Sequence, residues 1–203
     1  VALSPSIVRA DPASEPAAAS FETEFLTNMI DHHSMANEMA MVCQGKDVRA
    51  DLEQLCGEII AAQSQEIDEM QSWLQDWYDE THEPTMMAAD TAMLEMLNAL
   101  SSDEFEAEFM TMMIEHHSTA IERAEECLES AEHEELVALC ENIIASQRAE
   151  IQQMQSWLQE VPTASPSPMV TATVRPGTAT PFAPTTGTGS RTSGGRVGAE
   201  VWL

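Results

Sequence analysis

Residues 21–75 superimpose on residues 105–159 at a constant offset of 84 without insertion, and about half of the paired positions are identical. A chain that writes one unit twice must bury the same face twice, so the fold is built from two copies of one supersecondary element. Phe25, Met29, His32, His33, Cys43, Cys56, Glu66, Met70 and Trp73 recur as Phe109, Met113, His116, His117, Cys127, Cys140, Glu150, Met154 and Trp157.

Within each repeat, apolar residues fall at spacings of three and four, no proline intervenes, and Ala, Glu, Gln, Met and Leu abound, which is the pattern of amphipathic helices. The periodicity breaks near Gln44–Ala50, where Gly45 and Asp47 intrude, and near Glu129–Glu134, so each repeat reads as a helical hairpin. Ser101 with Glu104 reads as a capping box opening the second hairpin, Pro84 marks a turn, and Met86–Leu100 reads as a short connecting helix. The expected architecture is all-α, a four-helix bundle over 20–161 with repeats 21–79 and 102–160 and a connector at 80–101. Residues 1–19 and 162–203 are rich in Pro, Ala, Ser, Thr and Gly with few large apolar side chains, and are expected to be disordered.

Thirty-five acidic side chains against eight basic ones give a net charge of -27. Such a chain repels phosphate backbones and anionic lipid, which excludes nucleic acid as a partner. No apolar run approaches the ~18 residues of a spanning helix, so no membrane insertion is expected.

If Cys43 faces Cys56 across an antiparallel pair, residues at equal height have numbers that sum to 99. Ala40 then faces Ile59, Ala36 faces Gln63, His33 faces Glu66 and Met29 faces Met70, all at seam positions. The second repeat gives Cys127 with Cys140, His117 with Glu150 and Met113 with Met154. Up-down-up-down topology would bring these to common heights, as one His33, Glu66, His117, Glu150 layer beside one Met29, Met70, Met113, Met154 layer. The short spacing favours a disulfide staple in each hairpin and hence an oxidising compartment, periplasmic or secreted; pairing across repeats and four free thiols are the alternatives. The chain begins at Val1, as expected if a secretory signal has been removed.

A methionine on a seam is ordinarily core, and a buried His–Glu pair is often structural. Two imidazoles, two carboxylates and four thioethers on adjacent layers nonetheless make a metal box, and the mixture of soft thioether and imidazole points to copper, as Cu(I), Cu(II) or both, ahead of zinc and iron. His32 and His116 lie about 100° around their helices from His33 and His117. They either reach a neighbouring helix, with Met35 and Met39 on the face of His32, or are solvated. His82, Met86, Met87, Met93 and Met96 form either a peripheral soft-metal site or, the preferred reading, a cap on the bundle's end. His133 aligns with Arg49 and is expected at the surface.

The words NMIDHHSMANEMA and MMIEHHSTAIERA, each followed by a helix ending in MQSWLQ, resemble the CopM-like copper-binding family, long catalogued as a domain of unknown function. The resemblance spans about 21–160 and implies an extracytoplasmic, ferritin-like bundle that binds copper through His and Met. It supports Met29, His32, His33, Met113, His116 and His117 as ligands. The second repeat carries Thr119 and Arg123 where the first has Met35 and Met39, so any outer site is asymmetric.

The leading expectation is a non-catalytic protein that sequesters copper or passes it to another copper-handling protein. No nucleophile elbow, phosphate-binding glycine loop or hydrolytic triad occurs. A dinuclear-metal oxidoreductase is the first alternative, although the core seam lacks the Glu-x-x-His motif of that class. A structural bundle that docks a partner is the second.

Overall fold

The computed structural model describes residues 15–160. Its elements are α1 (Glu15–Gln44), α2 (Ala50–Tyr78), α3 (Ala88–Ala99), α4 (Ser102–Ser130) and α5 (Glu134–Glu160), with no strand among the described residues. The all-α expectation holds. Helix α1 begins at Glu15, inside the 1–19 segment expected to lack structure; the remainder of that segment and the 162–203 tail lie outside the described residues.

The hairpins pair as the spacing predicts. Cys43–Cys56 and Cys127–Cys140 are disulfides, each with a Cα–Cα distance of 6.4 Å, within the range such a bond spans without moving backbone. Helix α2 ends where Asp79 adopts φ 55, and its N–H and that of Glu80 close on Gln75 O and Leu74 O. Ser101 does open α4, but its hydroxyl bonds the Glu104 carboxylate at 2.6 Å rather than a backbone N–H, so only part of the capping box forms.

The hairpins do not stack up-down-up-down. Cys43, Leu52 and Cys56 pack with Phe105, Phe109, Met110 and Met113 from the start of α4, whereas Cys127, Leu136 and Cys140 pack with Phe25, Leu26, Met29 and Ile30 of α1. Helix α4 therefore runs antiparallel to α1, and the hairpins are related by a pseudo-two-fold axis across the bundle. The connector imposes this reversal. It is tied midway along α1 by Asp31, which accepts from His82 Nε2 (2.8 Å), Thr85 N (2.7 Å) and Thr85 Oγ1 (3.0 Å). Helix α3, about 18 Å long at 1.5 Å per residue, then climbs beside α1 and buries Leu97 near Cys43. Lys46 Nζ holds its top end through Asn98 O (2.6 Å) and Leu100 O (2.9 Å). The connector thus laces the side of the bundle and does not cap its end.

Carboxylates near the starts of α1 and α4 lock the hairpins reciprocally. Glu22 Oε1 accepts from the backbone N–H of Glu132 (2.6 Å) and His133 (3.0 Å) just before α5, and Glu106 Oε1 accepts from Arg49 N (2.5 Å) just before α2. Each interaction satisfies amides at a helix start that would otherwise lack partners.

Candidate metal centre

The histidine doublets sit midway along α1 and α4, where the two helices cross. His33 turns into its own hairpin, and its Nε2 lies 2.9 Å from Glu66 Oε2. His117 Nε2 lies 2.7 Å from Glu150 Oε2, close but without hydrogen-bond geometry. His32 and His116 turn instead toward each other across the pseudo-two-fold axis, with ring centroids 3.6 Å apart. With His32–His33 at 6.3 Å and His116–His117 at 6.4 Å, the groups follow one another as Glu66, His33, His32, His116, His117, Glu150. The seam pairs predicted within each hairpin are present, but the centre is made by the residues of each doublet that the sequence left between a neighbouring helix and solvent.

Burial strips these rings of water without replacing it. Both ring nitrogens of His32 and the Nδ1 atoms of His33, His116 and His117 are buried without a hydrogen-bond partner. A carboxylate only accepts, so at His33 the proton belongs on Nε2 toward Glu66, leaving a lone pair on Nδ1. Burial, reinforced by His117 and His33, pushes the pKa of His116 down to about 3. His32 is likewise held well below the usual histidine value by burial and by His116, His33 and His117; the His116 backbone opposes the shift without meeting hydrogen-bond geometry. Both rings are neutral near pH 7, the state in which imidazole coordinates metal.

The methionines do not form one layer. Met29 and Met70 belong to the half of the core that holds Cys127–Cys140, whereas Met35, Met39, Met113 and Met154 belong to the half that holds Cys43–Cys56. Reversal of the second hairpin puts the two predicted pairs on opposite sides of the imidazoles. Glu66 and Glu150 each meet one imidazole, the placement of carboxylates that orient ligands from behind. Among the described residues, no three His, Cys, Asp or Glu side chains converge as a closed ligand set.

Several contributors escaped the sequence reading. Met110 is fully buried among the other methionines, but its repeat partner is Leu26, so symmetry gave no sign of it. Gln63 and Gln147, which the repeat register places on the seams, are indeed buried, with Oε1 unpartnered. His133 is less free than expected, since its ring stacks on Trp77 at 3.8 Å and its Nδ1 donates to Glu22 at 2.6 Å. Met86, Met87 and Met96 are exposed, Met93 packs on the core, and His82 is engaged by Asp31.

The model of the family described as a domain of unknown function, DUF305, matches residues 22–158. The chain belongs to the DUF305 family. Among solved structures, it is similar to CopM in the Cu(I)-bound form, with 33% identity over 68% of this chain and 96% of that one and a TM-score of 0.61. CopM in the Cu(II)-bound form gives 33% identity over the same shares and a TM-score of 0.63. A DUF305 fragment from Deinococcus radiodurans shares the fold at 24% identity over 69% of this chain and 96% of that one, with a TM-score of 0.62. No match is found among curated proteins.

Proposed function

We propose that this DUF305 protein binds copper at the imidazole layer and holds or hands on the ion outside the cytoplasm, as cargo rather than as a centre for turnover. The observation that carries this reading is that four imidazoles bring buried ring nitrogens with no hydrogen-bond partner to one level of the bundle. Leaving such atoms unpaired costs about 1–3 kcal/mol each, and a metal ion would supply the missing interaction. His32 and His116, which meet at the axis, are the nearest imidazole pair for the ion, flanked by His33 and His117, which Glu66 and Glu150 orient. Met29 and Met113 lie four residues before His33 and His117, on the same sides of their helices, and offer soft donors.

The CopM structures carry Cu(I), Cu(II) and silver, which supports a site that accepts soft ions as well as Cu(II). Two disulfides support an oxidising compartment. The long connection between α2 and α4 supports a ferritin-like arrangement, which has one such crossover.

The test is copper affinity by competition with a chelator, under reducing and oxidising conditions, for the wild type and for His32→Gln/His116→Gln. The double variant should bind at least about 100-fold more weakly, equivalent to about 2.7 kcal/mol, while keeping its helical content. Unchanged affinity would make the layer a structural polar core.

A further inference from the structure

Glu66, Met70, Trp73 and Trp77 follow one another on α2 at helical spacing, so an aromatic run leads away from the imidazole layer along one face. The rings of Trp73 and Trp77 stack with centroids 5.1 Å apart and planes 6° from parallel. Trp77 then meets His133 at 3.8 Å, face to face, and Tyr78 edge-on at 6.2 Å. The Tyr78 hydroxyl donates to Glu22 Oε2, and Glu22 is 1% exposed. The same oxygen accepts from His133 Nδ1 at 2.6 Å. The run of oxidisable rings therefore ends at a phenol with a proton acceptor already in place.

Among the described residues, the other half of the bundle has no such run. Trp157 recurs from Trp73, but Val161 and Pro162 stand where Trp77 and Tyr78 would fall. Arg49 replaces His133 and sits 5.6 Å from the Trp157 ring.

We propose that Trp73, Trp77 and Tyr78 form a one-electron relay that delivers an oxidising equivalent to Tyr78, with the Glu22–His133 pair taking the phenolic proton. An oxidant of the radical class, such as a redox-cycling metal generates from peroxide, removes one electron from an indole and leaves its radical cation. Tyr78 returns an electron to the indole and passes its O–H proton to Glu22–His133. The products are a restored tryptophan, a neutral phenoxyl and a protonated acid–base pair. A small one-electron reductant then returns an electron to the phenoxyl oxygen as the pair gives back the proton, which restores the phenol. A surface cleft of about 520 Å³, lined by Thr23, Glu24, Thr27, Tyr78 and Glu80, opens beside the phenol and gives such a reductant access. Burial and Glu22 together push the Tyr78 pKa above the usual phenol value, so the proton stays on the phenol until oxidation releases it.

The relay rests on aromatic geometry and not on the copper reading, so metal-free protein serves for the test. Tyr78 is the sole tyrosine, which makes any phenoxyl signal its own. The full chain with Trp202→Phe is oxidised by a photogenerated ruthenium(III) polypyridyl complex and followed by transient absorption and freeze-quench electron paramagnetic resonance. Indole radical should decay as phenoxyl grows. Tyr78→Phe should prolong the indole radical about tenfold, a change of about 1.4 kcal/mol in barrier. Trp77→Phe should cut the phenoxyl yield, whereas Trp157→Phe should leave it unchanged. Glu22→Gln should slow phenoxyl growth and alter its solvent deuterium effect. A phenoxyl yield indifferent to Trp77→Phe, or indole radicals that decay in the parent without phenoxyl, would overturn the relay.

Discussion

The half of the bundle closed by Cys43–Cys56 buries Met35, Met39, Met110, Met113 and Met154, with Met93 and Met112 at its edge, while the half closed by Cys127–Cys140 buries Met29 and Met70 among Phe25, Leu26, Ile30 and Ile143. The frames are alike, each with a disulfide, a His–Glu pair and a buried glutamine. The difference arises because each half draws on residues after the histidine doublet in one repeat and before it in the other. Met35 against Thr119, Met39 against Arg123 and Met110 against Leu26 therefore add on one side instead of cancelling. One half is furnished with polarisable thioethers, and the other leads to Trp73, Trp77 and Tyr78 along its edge.

Acid should have the largest effect, because it attacks the layer that divides the halves. His116 titrates near 3 and His32 well below its ordinary value, against about 6.5 in the unfolded chain. Across that interval the unfolded chain binds more protons, so stability falls as pH drops below about 6.5. Urea titrations of metal-free protein should lose up to about 1.4 kcal/mol per pH unit for each of these histidines. His32→Gln/His116→Gln should flatten the slope, and an equal slope would show that acid is sensed elsewhere.

The disulfides should then prove the frame common to both halves. Cys43→Ala/Cys56→Ala and Cys127→Ala/Cys140→Ala should each cost about 3 kcal/mol, the chain-entropy value for loops of this length. Markedly unequal losses in thermal or urea denaturation would break the equivalence.

Exchanging methionine for leucine keeps size and apolarity and removes only the soft donor. Met35→Leu/Met39→Leu/Met110→Leu should weaken Cu(I) binding about tenfold and spare Cu(II), which relies on imidazole. Met29→Leu/Met70→Leu should weaken it less. The reverse order in competition titrations would place the soft site in the other half.

The smallest effect is expected at the connector. His82 pairs with Asp31 near the surface, where such a pair contributes less than about 1 kcal/mol. His82→Ala should lower the melting temperature slightly and leave copper affinity unchanged; a loss of affinity would bring His82 into the metal centre.

What could be read from the sequence was whatever one hairpin decides for itself. The facing of Cys43 on Cys56 and His33 on Glu66 follows from a single register, and helical periodicity fixes that register locally. The orientation of the second hairpin depends on how Asp31 accepts from His82 and Thr85 and how Lys46 donates to the Asn98 and Leu100 carbonyls. Those are single polar contacts between remote residues, and they leave no periodic trace. The contact of His32 with His116 and the division of the methionines both follow from that orientation, so they were hidden with it.

The pseudo-two-fold axis has a consequence for how the molecule could diversify. His32 meets its own repeat equivalent, and Glu22 and Glu106 trade equivalent contacts, which is the signature of an isologous interface. In a symmetric pair of separate chains, every substitution appears twice, and both ends of the assembly must stay identical. Covalent joining removes that obligation, so Met39 and Arg123 can occupy corresponding sites in one molecule. A single polypeptide can thereby give two chemically distinct flanks to one shared set of imidazoles.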